Sequence, residues 1–168
     1  MDSKMVQAPS PPSSTATTKS ELVHTDIGGP LTNSLGGSIY FMTALEDSTG
    51  FITATPIKKK GMAPDGLKTR IKQLETLTGV KVKRVRHDGA KESVIIDLKA
   101  WYEDKSITSE MTAPLKLKQK DKAERVNRTL IKRLRAALLD AGAEEELWAA
   151  AKASVVHVLK QSPKAGLT

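Results

Sequence analysis

The chain has 168 residues, enough for one domain with its own hydrophobic core and without disulfides or a structural metal. It contains no cysteine, which excludes disulfides, Cys-based zinc fingers and thiol nucleophiles within these residues. The 27 Lys and Arg against 19 Asp and Glu give a net charge of +8, and this excess favours a polyanion such as nucleic acid as a partner.

The ends of the chain differ in composition from its middle. Residues 1–19 are rich in Ser, Thr and Pro and lack apolar periodicity, so we expect a disordered leader. Residues 20–163 are predicted to form the single folded domain, followed by a tail at 164–168. No run approaches the ~20 apolar residues of a membrane span, and the N-terminus lacks the apolar core of a signal peptide. We therefore expect an intracellular protein with no membrane partner.

Three short runs rich in β-branched and aromatic residues follow the leader, at 21–27, 38–47 and 50–57. Gly-Pro, Gly-Gly and Ser-Thr-Gly turns separate them, which predicts a meander of three antiparallel strands. The next segment, 63–78, is predicted to be an amphipathic helix that ends before Gly79. Its apolar residues recur at helical intervals: Leu67, Ile71, Leu74 and Leu77.

Strands and helices alternate in the second half of the chain. Strands are predicted at 80–88 and 107–111, and helices at 93–104, 122–141 and 144–160. The residues predicted to face the core are two tryptophans and the stripe of the long helix: Trp101, Trp148, Ala123, Val126, Leu130, Leu134, Ala137 and Leu138. This order predicts an α/β fold with a mixed five-stranded sheet, in which two crossover-linked strands extend the meander and helices flank the sheet.

Three carboxylates lie where a divalent-metal nuclease needs them. Asp26 ends the first strand, Asp88 lies at the end of the fourth, and Glu124 lies near the start of the long helix, with 35 residues between the last two. If they meet, they repel one another unless cations neutralise them, and hard oxygen ligands select Mg²⁺ or Mn²⁺. Two ions about 4 Å apart could activate a water or a 3′-hydroxyl for in-line displacement at phosphorus. Taken singly, each residue also suits a turn cap or the helix macrodipole.

Six segments resemble the catalytic core of copia-type retrotransposon integrases: ELVHTDIGGP, GGSIYFMTALEDSTG, TGVKVKRVRHDGAKE, TAP, AERVNRTL and LLDAGAEEELWAAA. The resemblance spans 20–163 and implies an RNase H-like fold with an Asp, Asp, Glu triad that binds two Mg²⁺ or Mn²⁺ ions. The HTD, RHD and AER motifs place this triad on Asp26, Asp88 and Glu124. The resemblance further implies a polyprotein fragment that processes element cDNA ends and joins them to target DNA, in the nucleus and as a multimer.

Basic residues on the long helix are candidates for phosphate binding. Arg128 follows Glu124 by one helical turn, and Lys132 and Arg135 share its face. A solvated basic face is the alternative for the last two. The predicted DNA contacts are Arg125, Arg128, Lys132, Lys116 and Lys118. His24 points to the same side of its strand as Asp26 and is either a support for the metal site or a packed, hydrogen-bonded histidine.

The chain departs from the integrase pattern in two places. Gly89 and Ala90 follow the second Asp, where Asn-Gly-Gly-Glu is usual. Residues 115–122 form a Lys-dense run, where the family has an aromatic residue and a Pro-Gln-Gln-Asn-Gly run in a mobile loop. These departures leave open a catalytically silent nucleic-acid-binding remnant. The shared fold leaves open an RNase H-type hydrolase, with Glu92 or Asp47 as a fourth carboxylate.

Overall fold

The computed structural model describes residues 18–88, 92–112 and 117–161, without the side chains of residues 88, 92–97, 112, 117–121 and 161. The predicted leader, apart from its last two residues, the predicted tail and Lys116 lie outside the described residues. The side chains of Asp88, Glu92 and Lys118 lie outside them as well.

One mixed sheet forms the centre of the molecule. Its strands are β1 (Leu22–Gly28), β2 (Tyr40–Glu46), β3 (Ile52–Ile57), β4 (Arg84–Asp88) and β5 (Thr108–Thr112). They are ordered β3-β2-β1-β4-β5. β1, β2 and β3 pair antiparallel, whereas β4 pairs parallel with both β1 and β5. The prediction of a meander extended by two crossover-linked strands is confirmed.

In the described part of the chain, four α-helices flank the sheet: α1 (Ala63–Thr78), α2 (Glu92–Lys105), α3 (Leu117–Asp140) and α4 (Trp148–Gln161). α1 and α2 pack on one face through a core that includes Val23, Met42, Leu67, Ile71, Val85 and Leu98. α3 and α4 pack on the other face through a core that includes Phe41, Leu45, Val126, Leu130, Trp148 and Val155. This α/β architecture is consistent with an RNase H-like fold, as predicted.

Alternation along β1 decides which side chains face α3. Val23 belongs to the core under α1 and α2, so His24 and Asp26 point to the opposite face, where α3 and α4 lie. Asp26 pairs with Thr43 of β2, and the two side chains therefore share that face. Within the described residues, no helix is long and apolar enough to span a bilayer.

Several predicted boundaries are wrong. β4 begins at Arg84 rather than at residue 80, because the Val82 N–H donates to Glu75 Oε1 on α1 (3.0 Å) and holds this segment against the helix end. α3 begins at Leu117, five residues before its predicted start, because the segment up to residue 122 contains no Gly or Pro that would end a helix.

Two further errors concern the ends of helices. Leu77, predicted in the apolar stripe of α1, is 74% exposed, because it lies in the last turn of the helix. The last helix was predicted from residue 144, but a 3-10 turn at Glu145–Leu147 precedes α4. Trp148 is buried as predicted, and Trp101 packs at the margin of the core.

Candidate active site

Asp26 lies near the carboxyl end of β1 and is half-buried between the sheet and α3. Its Oδ1 accepts a hydrogen bond from the Ile27 backbone N–H (2.7 Å), and its Oδ2 accepts one from Asn127 Nδ2 (2.8 Å). A donor on the backbone and a donor on α3 therefore fix the orientation of this carboxylate. The second bond also joins the end of β1 to the helix that carries Glu124.

Asn127 belongs to the candidate site by its contacts, and the sequence analysis did not identify it. It is buried, and its Oδ1 accepts a hydrogen bond from Thr43 Oγ1 (2.7 Å) while its amide donates to Asp26. One side chain of α3 thus contacts two adjacent strands. The available signal was its spacing, since a residue three positions after Glu124 lies beside it on a helix.

Glu124 is exposed in the second turn of α3. Its Oε1 accepts a hydrogen bond from Arg128 Nη2 (3.3 Å), one turn further along the helix. The Asn127–Asp26 contact brings the backbone of this turn to the end of β1. The Glu124 carboxylate itself is paired with Arg128.

Asp88 is the last residue of β4, directly beside β1. Thr25 pairs with His87 in the parallel register, so the backbone of Asp88 lies one step further, level with Asp26. Among the side chains that the structure describes, no group of three or more His, Asp or Glu could hold a metal ion. Because the Asp88 side chain is outside that set, the meeting of the three carboxylates stays a prediction.

A buried polar network lies on the same face of the sheet as Asp26. His24 Nε2 contacts Asp47 Oδ1 at 2.9 Å, and Lys122 Nζ of α3 contacts the same oxygen at 2.5 Å. The His24 and Asp47 side chains are each 4% exposed. His24 is therefore a packed, hydrogen-bonded histidine, and the Asp47 carboxylate is engaged by two neighbours.

The basic residues of α3 differ in exposure. Arg128 and Lys132 are exposed, whereas Arg125 is half-buried. Lys116 lies outside the described residues, as does the side chain of Lys118. Arg128 and Lys132 therefore present positive charge on the solvent side of the helix, beside Glu124.

The cations of β4 are neutralised within the sheet. Arg86 Nη2 donates to Glu110 Oε2 (2.7 Å), and Arg84 Nη1 donates to Glu110 Oε1 (3.1 Å). Burial raises the pKa of Glu110, but the hydrogen bonds and charges of the two arginines outweigh it and hold the pKa below its ordinary value. Among the described side chains, the exposed cations closest in sequence to Glu124 are therefore on α3.

The chain has an α/β fold that is consistent with an RNase H-like fold, with one carboxylate near the end of the central strand and another on the facing helix. The chain is similar to the retrovirus-related Pol polyprotein from transposon TNT 1-94 of Nicotiana tabacum. The two are 28% identical over 148 residues, which cover 88% of this chain and 11% of the polyprotein. No family model matches the chain. The similarity supports a region derived from a retrotransposon Pol polyprotein, of which the chain spans about 11% of the length.

Proposed function

We propose that the chain is the catalytic core of a copia-type retrotransposon integrase, which processes the 3′ ends of element cDNA and transfers them to target DNA. The observation that carries this proposal is the Asn127–Asp26 hydrogen bond, which holds the Glu124 turn of α3 at the end of β1. Asp88, at the end of the adjacent parallel strand, completes the set of acidic positions. The similarity to a transposon Pol polyprotein supports a retrotransposon origin. The HTD, RHD and AER motifs around Asp26, Asp88 and Glu124 are the reason to prefer integration over other nuclease chemistry.

Mg²⁺ or Mn²⁺ is the cofactor that these donors fit. Asp26, Asp88 and Glu124 would supply carboxylate oxygens, which hard divalent cations prefer. Asp26 is held by Ile27 and Asn127 in one orientation, as a metal ligand requires. Two such ions, when bound, lower the pKa of the attacking water or 3′-hydroxyl and stabilise the leaving oxygen.

The chain's own residues position the substrate. Glu124 has to leave Arg128 in order to turn toward Asp26, and this frees the guanidinium for a DNA phosphate, which it can bind through two parallel hydrogen bonds. Lys132 lies one turn further along α3, so it would contact the next phosphate of the same DNA strand. Arg125, Lys116 and Lys118 are further proposed DNA contacts. An active core would work in the nucleus, as a multimer.

Strand transfer between a duplex that carries the element end and a target plasmid tests the proposal. We expect product only with Mg²⁺ or Mn²⁺, and loss of product in Asp26→Asn, Asp88→Asn and Glu124→Gln. Asp140→Asn is the matched control, because Asp140 is an exposed acid at the far end of the same helix. Unchanged activity in Asp88→Asn would contradict the assignment.

A nucleic-acid-binding remnant without turnover is the second candidate, and the Glu124–Arg128 pair favours it together with the early start of α3. This candidate predicts DNA binding that weakens with salt and no product under any metal condition. In fluorescence anisotropy, Arg128→Gln should reduce the slope of log K against log salt by about 0.9. Lys72→Gln on α1 is the control, and absence of binding at ~50 mM salt would contradict both candidates.

An RNase H-type hydrolase is less well supported. Its fourth carboxylate would be Asp47 or Glu92, and the Asp47 carboxylate already contacts His24 and Lys122. The Glu92 side chain lies outside the described residues. Failure to cleave an RNA:DNA hybrid would remove this option.

A further inference from the structure

Asp47 follows the last residue of β2 and is buried, at 8% exposure. Its backbone N–H donates to the Leu22 carbonyl at the start of β1 (3.0 Å), so its position is fixed by the sheet. Its Oδ1 lies 2.9 Å from His24 Nε2 and accepts a hydrogen bond from Lys122 Nζ (2.5 Å). Lys122 Nζ also donates to the Asp47 carbonyl (3.0 Å), which gives the ammonium two contacts with one residue.

Each partner of Asp47 is close in the sequence to one of the proposed metal ligands. His24 is two residues before Asp26 on the same face of β1, and Lys122 is two residues before Glu124 on α3. The carboxylate of Asp47 therefore connects the strand and the helix that carry these ligands. Its side chain has 4% exposure, so water competes weakly for the contacts.

α3 is held against the sheet at a second point by Asn127, which contacts Asp26 and Thr43. Lys122 and Asn127 are five residues apart, which corresponds to about 7.5 Å along the helix axis. Glu124 lies between these two points. Val126 and Leu130 pack the following part of α3 on the sheet, so loss of the Lys122 contact would free only the N-terminal turns, which carry Glu124, and would change its distance to the end of β1.

We propose that Lys122, through Asp47, is a positioning residue that sets the distance between Glu124 and Asp26 required for divalent-cation binding. This inference rests on the proposed function, since it assumes that both carboxylates bind the metal. Lys122 belongs to the run 115–122 that departs from the integrase pattern, so the resemblance did not point to this contact.

Removal of Lys122 distinguishes a positioning role from a purely electrostatic one, because the two roles change Mn²⁺ affinity in opposite directions. Lys122 carries a positive charge near the site, so Lys122→Met would tighten Mn²⁺ binding if charge alone mattered. If the contact positions Glu124, the same variant binds Mn²⁺ more weakly, by about 10- to 100-fold, as is usual for residues that support metal ligands. Lys122→Arg, which keeps the donor and the charge, should restore most of the affinity.

The experiment is isothermal titration of the full chain with MnCl₂, after urea unfolding has shown that each variant is folded. Lys122→Gln replaces Lys122→Met if that variant is unfolded, because it removes the same charge from the Asp47 carboxylate, and the same two outcomes apply to it. Lys72→Met on α1 is the control for loss of one exposed lysine. If the wild-type chain binds no Mn²⁺, the proposed function fails and this inference fails with it. If the wild type binds Mn²⁺ and Lys122→Met binds it equally or more tightly, only the positioning role is overturned.

Discussion

The substitution Asn127→Ala tests the contact on which the candidate site depends. The side chain is 6% exposed and loses two hydrogen bonds: one to the Asp26 carboxylate at 2.8 Å and one from Thr43 at 2.7 Å. A bond to a charged group contributes about 1.5–3 kcal/mol and a neutral one about 0.5–1.5 kcal/mol. Because Asp26 is half-buried, water can replace part of the hydrogen bond that its carboxylate loses. We expect the free energy of unfolding to fall by about 2–3 kcal/mol.

Urea unfolding measures this change, with Asn33→Ala as the control. Asn33 is exposed in the loop after β1, so its replacement should change the free energy of unfolding by less than about 0.5 kcal/mol. A double-mutant cycle with Thr43→Ala should give a coupling energy of about 1 kcal/mol. A loss below about 0.5 kcal/mol for Asn127→Ala would refute the reasoning, because α3 would then not depend on this contact.

Three further substitutions test the surrounding structure. The lowered pKa of Glu110 means that its ion pairs stabilise the fold above the unfolded Glu pKa of about 4.3 and are lost as pH falls through the folded pKa. Between pH 7 and pH 3, the melting temperature of Glu110→Gln should therefore fall less steeply than that of the wild type. Tyr102→Phe should keep or raise the melting temperature, because the buried hydroxyl has no partner among the described residues. Gly28→Ala should cost about 1–3 kcal/mol in urea unfolding, since its Cβ would lie 2.2 Å from the Phe41 ring.

The elements of the sheet could be predicted from sequence because their signals are local. Runs of β-branched and aromatic residues separated by Gly-containing turns predicted the strands β1, β2 and β3, and helical spacing predicted α1 with both ends correct. The start of α3 was placed too late because the apolar stripe begins only at Ala123, whereas residues 117–121 extend the helix without such a stripe. Burial at helix ends, as for Leu77, depends on where the sheet ends beneath the helix.

The contacts at the site could not be predicted, because they depend on packing between distant segments. Asn127 is 101 residues from Asp26, and Lys122 is 75 residues from Asp47. Each contact needs both the register of β1 and β2 and the rotation of α3, and neither quantity is encoded in a local pattern. The acidic positions were found only because their residue type and order are themselves a signal.

The two candidate functions differ in whether the Glu124 carboxylate can leave Arg128 and reach the end of β1. An exposed pair at this helical spacing is worth only about 0.3–0.5 kcal/mol, so a divalent cation or a DNA phosphate would separate it. The backbone is the greater constraint, because α3 is helical from Leu117 and is held by Lys122 and Asn127 on either side of Glu124. If side-chain rotation alone brings the carboxylate to Asp26, these two contacts favour catalysis by fixing the distance. If the backbone has to move, the same contacts oppose it, and the chain binds DNA without turnover.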